Sequence, residues 1–200
     1  SKLTNNILNR DSLSTGGCVL WVQDGTFNLQ SGASISANKE PSGTATGQQT
    51  VRVSGGVCNL SGGSIFGNTA RFFGAIRQSG GTINMTGGSI YSNTASTGED
   101  NGRDTGGVSV EGTGVFNMSG GSIYSNKAKS VGGVYVYGDA TTAGTFAMSG
   151  SASIGTNTAT AGTAGLLVSG TLKMAGSPSV SSGVSLQNTE RPIVLTGALT

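Results

Sequence analysis

Residues able to act as acid, base, nucleophile or metal ligand are scarce in this 200-residue sequence. It has no histidine, nine Asp or Glu residues and two cysteines, Cys18 and Cys58. Without histidine, Ser-His-Asp and Cys-His nucleophile systems and histidine-ligated metals are excluded. A glycosidase needs two carboxylates about 5–9.5 Å apart, and no two acidic residues align at outward positions of the neighbouring repeats defined below. The sequence therefore predicts no catalytic residue and no cofactor.

One segment concentrates charge, the run from Glu99 to Asp104, which lies in the longest insertion between predicted strands. Calcium binds several oxygen ligands in such loops, which makes Asp100 and Asp104 the candidate metal ligands. The spacing differs from that of an EF-hand loop, and a solvated loop also explains the charges. We expect a solvated loop here rather than a metal site.

A repeated motif must position any functional side chain of this chain. Its clearest copies run from 55 to 68, 80 to 93 and 113 to 126, and looser copies run from 25 to 38, 144 to 157 and 170 to 183. Each repeat holds three patterns, Gly-Gly-Val-x-Val, Phe-Asn-Met and Gly-Ser-Ile-x-x-Asn, and short alternating segments punctuated by glycine favour strands. Three strands per repeat predict an all-β fold, a single-stranded parallel β-helix of about six to seven rungs. Residues 16–200 would form this domain, and residues 1–15 a cap or the remnant of a preceding rung.

Stacked repeats would place like residues in columns about 4.8 Å apart. One inward column is predicted to be Ile35, Ile65, Ile90, Ile123, Ile154 and Val180. The other two are Phe27, Cys58, Ile83, Phe116, Phe146 and Leu172, and Leu29, Leu60, Met85, Met118, Met148 and Met174. Both cysteines fall on inward columns of different strands, so we expect free thiols that pack as small apolar groups.

One asparagine per repeat occupies a predicted corner: Asn38, Asn68, Asn93, Asn126 and Asn157. A side-chain amide donates and accepts at once, so we interpret these residues as an internal ladder in which each side chain bonds to the next. A second set points outward from the middle strand and predicts an external ladder: Asn28, Asn59, Asn84 and Asn117. We expect a structural role for both sets.

Three aromatic residues align on the third predicted strand. Phe66, Tyr91 and Tyr124 occupy one outward column between Ser36 and Gly155. Their rings either stack across repeats and fix the register of the sheet, or form a contact stripe for a glycan or a protein. They are therefore candidate binding residues.

A second outward column, on the first predicted strand, holds Trp21, Arg52 and Arg77, with Ser109 and Tyr135 as its extension. This arrangement allows cation–π packing and could hold an acidic sugar, whereas ordinary surface packing requires no ligand. A one-residue slip in register would turn Trp21 inward instead. Trp21, Arg52 and Arg77 complete the set of candidate binding residues.

The bulk composition excludes several partners. The net charge of +2 and a charged fraction of 10% give no reason to expect nucleic acid. The longest apolar run, residues 18–22, is far shorter than the roughly 20 residues that span a bilayer, so we expect no membrane insertion by this segment. The 36 glycines suit tight corners between stacked strands. Because the chain begins at Ser1 without Met, we interpret it as part of a longer chain.

Two tetrapeptides recur in the repeats. The first occurs as Phe-Gly-Ala-Ile at 73–76, Gly-Gly-Val-Ser at 106–109 and Gly-Gly-Val-Tyr at 132–135, and the second as Ile-x-x-Asn at 65–68, 90–93 and 123–126. They resemble the Gly-Gly-Ala-Ile and Phe-x-x-Asn tetrapeptides in passenger repeats of polymorphic outer-membrane proteins, a family of bacterial autotransporter-like surface adhesins. The resemblance covers about residues 16–200. It implies a right-handed helix, export to the cell surface or the extracellular space, and adhesion to a host protein or carbohydrate.

Two functions of different classes fit these features, and a third lacks the pattern that it needs. The first is a non-enzymatic cell-surface or secreted β-helix, an adhesin-like passenger segment or display stalk, with contacts through its flat sheets and the loops 39–50, 94–105 and 137–143. The alternative is a polysaccharide lyase or glycosidase, since many β-helices act on acidic glycans. A third, ice binding, needs ranks of Thr-x-Thr, and none stacks across the repeats.

Overall fold

The computed structural model describes residues 2–4, 17–39, 49–96, 102–188, 191 and 193–199, and these residues form strands and no helix. The strands are β1 (Lys2–Thr4), β2 (Leu20–Val22), β3 (Thr26–Leu29), β4 (Ser34–Ser36), β5 (Gln49–Val53), β6 (Val57–Phe66), β7 (Thr69–Ala70), β8 (Phe73–Gln78), β9 (Thr82–Tyr91), β10 (Thr94–Ala95), β11 (Val108–Val110), β12 (Val115–Met118), β13 (Ser122–Tyr124), β14 (Lys127–Ala128), β15 (Val134–Val136), β16 (Thr145–Met148), β17 (Ser153–Ile154), β18 (Thr158–Ala159), β19 (Leu166–Val168), β20 (Thr171–Gly176), β21 (Ser179–Val180), β22 (Val184–Leu186) and β23 (Val194–Leu199). Within these ranges, nothing helical is long and apolar enough to cross a membrane.

The strands form three sheets built from parallel pairs. The long sheet has 12 strands, and its main path is β1-β4-β6-β9-β12-β16-β20-β23. The seven-stranded sheet runs β2-β5-β8-β11-β15-β19-β22, and the four-stranded sheet runs β18-β14-β10-β7. Neighbouring strands in each sheet come from successive repeats and are joined by loops of variable length. The register shifts locally in three pairs, β5–β8, β6–β9 and β20–β23.

The second and third predicted strands of each repeat belong to the same curled sheet. In β6 and β9 they form one ten-residue strand each, whereas β12 and β13 are separate. Glycines form the bend between the two parts: Gly88 has a φ of +82°, and a Cβ there would lie 2.1 Å from the carbonyl oxygen of Gly63. We call the part with β3, β12, β16, β20 and the first halves of β6 and β9 the Asn arm. The part with β4, β13, β17, β21 and the second halves of β6 and β9 is the Ser arm.

The sequence patterns missed the four-stranded sheet. Its strands β7, β10, β14 and β18 have two residues each, Thr-Ala in three cases and Lys-Ala in β14. Each follows a corner asparagine directly, and its alanine is buried in β7, β10 and β14 and half-buried in β18. Two residues are too few to show alternation, so no periodicity could have revealed them.

The apolar core lies between the sheets, and its columns pair in the predicted order. Phe116 lies opposite Ile83 and Phe146, Met118 lies opposite Met85 and Met148, and the same registers extend through the neighbouring repeats. The isoleucine column pairs in the same way from Ile35 to Val180. Nearly all of these side chains are fully buried. The regular core holds the outward side chains of each column at a constant spacing.

Candidate functional site

The five corner asparagines lie in one buried column. The Nδ2 atom of each donates to the Oδ1 atom of the next, at 2.8, 2.8, 2.9 and 3.1 Å along the column from Asn38 to Asn157. Each accepting Oδ1 also receives the backbone N–H of the preceding asparagine. The other Nδ2 hydrogen bonds to the carbonyl of an isoleucine in the preceding repeat. None of the five is more than 4% exposed, so these bonds satisfy amides that water cannot reach.

The residue before each of the first four asparagines turns the chain into this corner. Ala37, Gly67, Ser92 and Ser125 have φ values of 55°, 63°, 54° and 55°. A left-handed conformation costs a non-glycine residue about 1–2 kcal/mol. The buried amide bonds offset that cost, so this position of the corner accepts alanine and serine as well as glycine.

The ladder ends in the last repeat, where Gly183 occupies the position of the asparagine. The hydroxyl of Ser182 replaces the missing amide: its Oγ accepts the backbone N–H of Asn157 at 3.2 Å and donates to the carbonyl of Gly155 at 3.1 Å. The Nδ2 of Asn157 donates to the same carbonyl at 2.9 Å. The last buried amide therefore keeps its partners without a sixth asparagine.

The outward asparagines of the Asn arm form a second ladder of opposite direction. Asn59 donates to Asn28 at 2.8 Å, Asn84 to Asn59 at 3.0 Å and Asn117 to Asn84 at 3.0 Å. Asn28 and Asn117 are exposed, and the other two are half-buried. Because water competes for these amides, each bond stabilises the fold less than its buried counterpart.

The aromatic side chains of the Ser arm form one continuous stack. The ring centroids of Phe66 and Tyr91 are 4.9 Å apart and those of Tyr91 and Tyr124 are 5.1 Å apart, with 3° between ring planes in both pairs. All three side chains are half-buried. Ser36 pairs with Phe66 at one end of the column, and Gly155 follows Tyr124 at the other end. The structure thus unites the predicted aromatic residues on one surface.

A column of serines that the sequence argument did not single out lies beside this stack. Six serines pair in register, two residues before the aromatic column and on the same outward face: Ser34, Ser64, Ser89, Ser122, Ser153 and Ser179. The signal was present in the sequence, since each serine directly precedes a core isoleucine or valine. The Ser arm therefore presents a row of hydroxyls next to a row of rings.

Trp21 lies on the outward face of β2 and is 43% exposed. The guanidinium carbon of Arg52 is 4.7 Å from the centroid of its indole ring, and the indole Nε1 donates to Ser54 Oγ at 2.8 Å. Trp21, Arg52 and Arg77 pair in register. The outward orientation, rather than the slipped one, is therefore present at Trp21.

Arg77 points to a carboxylate rather than to open solvent. Its Nη2 and Nε atoms lie 3.0 and 3.2 Å from Oε2 of Glu111, and Ser109 Oγ donates to Oε1 of the same carboxylate at 2.8 Å. Its guanidinium also lies 4.9 Å from the centroid of Phe73. Because Glu111 is only 6% exposed, Arg77 neutralises a buried charge, which weakens the prediction that it holds an acidic sugar.

The predicted extension of this column is in register but covered. Ser109 and Tyr135 pair with the strands on either side, yet they are 0% and 6% exposed. Tyr137 packs edge-on against Tyr135 with centroids 5.9 Å apart, and Arg103 lies 4.1 Å above the ring of Tyr137. Burial raises the pKa of the Tyr135 hydroxyl. Ser109 and Tyr135 therefore extend the column in register, as expected, but add no exposed surface to it.

Asp104, one of the two candidate calcium ligands, is fully buried, so the expectation of a solvated loop is wrong at this residue. Its Oδ2 accepts the backbone N–H groups of Lys129 and Ser130 at 2.8 and 3.0 Å, and its Oδ1 accepts the hydroxyl of Ser130. Asp100 lies outside the described residues. Among those that are described, no three His, Cys, Asp or Glu side chains gather in a way that could hold a metal. Asp104 therefore anchors its own loop to the next repeat.

The other described carboxylates also have local partners. Asp139 Oδ1 accepts the backbone N–H groups of Thr141 and Thr142, both at 2.9 Å, and the hydroxyl of Thr141 at 2.8 Å. These bonds, the one from the Thr142 backbone first, lower the pKa of Asp139 well below its usual range. Asp24 Oδ1 accepts the N–H of Gly25 at 2.7 Å. Each of these acids therefore orders a turn of its own segment.

Both cysteines are free. Cys58 is buried between Phe27 and Ile83 in its column, and burial raises the pKa of its thiol to about 12. Burial also raises the pKa of the half-buried Cys18. Both thiols are protonated at neutral pH, and we assign them packing roles.

The predicted contact residues thus gather in two places on the described surface, the ring and hydroxyl columns of the Ser arm and the Trp21–Arg52 pair. The first is uncharged, and the second carries one indole and one guanidinium. Neither contains a pair of carboxylates. No protein-family model, curated protein or solved structure matches this chain.

Proposed function

We propose that this chain is a right-handed parallel β-helix that works without catalysis as a cell-surface or secreted, adhesin-like segment or display stalk, contacting host protein or glycan. The β-helix is supported by the pairing of each strand with its counterpart in the next repeat, in parallel and in register. It is supported further by the buried ladder, which links five successive repeats through one column of amides.

One observation carries the contact role: the outward columns of the Ser arm form a continuous, uncharged surface of stacked rings and hydroxyls. Rings held at 4.9 and 5.1 Å by paired strands present rigid contact area at little cost in conformational entropy. Such a surface suits repeated weak contacts, which add in affinity when several act together.

The described acids support the non-enzymatic part of the proposal. Glu111 is held by Arg77 and Ser109, and Asp104 by the backbone at 129 and 130. A polysaccharide lyase or glycosidase needs a base or paired carboxylates open to substrate, and these two are committed to other bonds.

The test is adhesion of beads that carry the purified chain. Beads are applied to cultured epithelial cells, to immobilised matrix proteins and to a glycan array, and the force needed to detach them is measured. We expect stronger attachment than with beads carrying the urea-unfolded chain, and weaker attachment with Trp21→Ala or Tyr124→Ala. Attachment no stronger than that of the unfolded chain on every surface would overturn the contact role.

The enzymatic alternative is tested on the same protein. The chain is incubated with polygalacturonate and with hyaluronan, and new reducing ends and unsaturated products are measured. We expect neither above the level of the heat-denatured chain. Turnover that depends on one of the described acidic residues, such as Glu111, would overturn the proposal and show that the chain is a lyase or glycosidase.

A further inference from the structure

At one end of the ring stack of the Ser arm, the face of Tyr124 adjoins Gly155. Tyr91 is sandwiched, with Phe66 on one side and Tyr124 on the other. The outer face of Phe66 adjoins Ser36, a residue only 5% exposed. The outer face of Tyr124 adjoins Gly155, which has no side chain. Tyr124 is therefore the end of the stack whose outer face meets no side chain at the next described position of the column.

Gly155 keeps this face open. A Cβ added there would lie 3.0 Å from the Cβ of Tyr124, so any larger side chain would begin against the ring. The following repeat has Ser181 at the same position, since Ile154 pairs with Val180. Beyond Tyr124 the column thus has no side chain larger than serine over two repeats, a length of about 10 Å at the spacing of paired strands.

Hydroxyl groups flank the open ring. Ser122 and Ser153 pair in register, two residues before Tyr124 and Gly155 respectively. The Ser122 hydroxyl can donate and accept a hydrogen bond. The Ser153 hydroxyl donates to the carbonyl of Gly121 at 3.5 Å, and its oxygen can still accept a hydrogen bond. The step beside Tyr124 therefore combines a ring face with hydroxyls of two repeats.

The charge of this arm restricts the ligand. From β4 to β21 its outward positions are serines, Phe66, Tyr91, Tyr124 and Gly155, none of which carries a charge. Lys2 of β1 extends the serine column beyond Ser34, at the end far from Tyr124. Lys127 lies beyond the corner, on the four-stranded sheet. An uncharged, hydroxyl-rich partner with an apolar ring face complements this surface, whereas an anionic one gains nothing from it.

We propose that the face of Tyr124 above Gly155 is a subsite for one sugar ring of a neutral glycan, with Ser122 and Ser153 bonding its hydroxyls. This inference rests on the proposed contact role and names its ligand class. It also limits the site to one ring face, so the edges of Phe66 and Tyr91 contribute little.

The probes are cellohexaose, chitohexaose and maltohexaose, with hexagalacturonate as the charged comparison. Binding is measured by titration of the protein with ring-¹³C-labelled tyrosine, which reports each tyrosine separately. We expect at least one neutral hexasaccharide to shift the Tyr124 signals more than those of Tyr91. No shift of Tyr124 by any neutral probe, or a shift by hexagalacturonate alone, would overturn the proposal.

Three substitutions distinguish sugar binding to the single face of Tyr124 from binding along all three rings. Tyr124→Leu keeps Tyr91 covered but removes the open face, and Gly155→Leu covers the face of Tyr124, so each should weaken binding about tenfold or more. Tyr91→Leu removes the middle ring and leaves the open face, so binding should change by less than about threefold. Equal losses for Tyr91→Leu and Tyr124→Leu would contradict the single subsite.

Folding and function are controlled separately. Gly155 has no positive φ, so Gly155→Leu provides a second route if Tyr124→Leu fails to fold, as judged by circular dichroism. Bead adhesion is measured with the same variants. Unchanged sugar binding in Tyr124→Leu and Gly155→Leu, with adhesion intact, would sink the subsite but leave the contact role standing.

Discussion

The Oδ1 atom of Asn93 accepts two hydrogen bonds from Asn68, one from the backbone N–H at 3.1 Å and one from Nδ2 at 2.8 Å. Asn93 in turn donates its own Nδ2 to Asn126 at 2.9 Å. All three residues are fully buried. Since a buried polar group that loses its partner costs about 1–3 kcal/mol, each repeat depends on the next for the stability of its corner.

Asn93→Ala is expected to lower the free energy of unfolding by about 3 kcal/mol or more, because it leaves two buried donors of Asn68 without an acceptor. The measurement is urea unfolding followed by circular dichroism. Asn84→Ala provides the matched control, because Asn84 belongs to the outward ladder and is half-buried. It should cost less than about 1 kcal/mol. Similar costs for the two variants would show that burial does not control the strength of these ladders.

Gly88→Ala is expected to destabilise the chain by more than about 3 kcal/mol, because the new Cβ would meet a backbone oxygen and not a movable side chain. Gly88 has a φ of +82° and a carbonyl oxygen 2.1 Å from the position of that Cβ. Gly32 has a similar φ of +77° but nothing within 4 Å. Gly32→Ala should therefore cost only about 1–2 kcal/mol of backbone strain. Thermal unfolding of the two variants compares them, and equal midpoints would contradict a steric origin.

The sequence predicted the columns well because the alternation of side chains and the repeated asparagine leave one consistent register. Once Ile90 is aligned with Ile123, Met85 must lie opposite Met118 and Tyr91 opposite Tyr124. The strand pairing in the structure has the same register. Glycine pairs between the strand patterns likewise marked the bends. These are properties of the repeat itself, so the sequence contains them several times.

What the sequence did not predict depends on residues that do not repeat. Glu111 follows β11 as the only acid at its position, and nothing in the sequence shows that it turns towards Arg77. Tyr137 and Arg103 cover Tyr135 from loops of unique sequence. Which side chains such a loop buries depends on the path of the loop, and the sequence repeat does not predict that path.

Cys58 is expected to resist thiol reagents in the folded chain. Its pKa of about 12 means that about 10⁻⁴ of it is thiolate at pH 8, and the thiolate is the reactive form. In the folded chain, Ellman's reagent should react with Cys18 alone and release one equivalent of thionitrobenzoate. A second equivalent, from the reaction of Cys58, should appear only in urea. Cys18→Ser is the control, and it should abolish the first phase. A fast reaction of Cys58 at pH 8 in the folded protein would contradict its burial.

Asp139 is expected to titrate below the ordinary pKa of an aspartate, about 3.9, because the N–H groups of Thr141 and Thr142 bond to its charged form. A lowered folded-state pKa adds stability that is present above the unfolded value and is lost as the pH falls through the folded value. The turn from 139 to 142 should therefore persist below pH 3.9. NMR titration of the Asp139 carboxyl carbon measures this directly. Thr141→Ala should move the pKa upward, and no movement would show that these bonds are not its cause.

Arg77 and Glu111 should behave as a coupled pair in a double-mutant cycle. Arg77→Met keeps the packing against Phe73. It leaves the Glu111 carboxylate, whose side chain is 8% exposed, with the hydroxyl of Ser109 as the one side-chain partner among the described residues. Arg77 is 29% exposed, so solvent screens part of the interaction, and we expect a loss of about 1–3 kcal/mol. Arg77→Met with Glu111→Leu removes both charges and should cost less than the sum of the single changes. Urea unfolding of the four proteins gives the coupling energy. Strict additivity would mean that Arg77 stabilises the fold through its packing alone, and would return its guanidinium to the set of groups able to bind an acidic sugar.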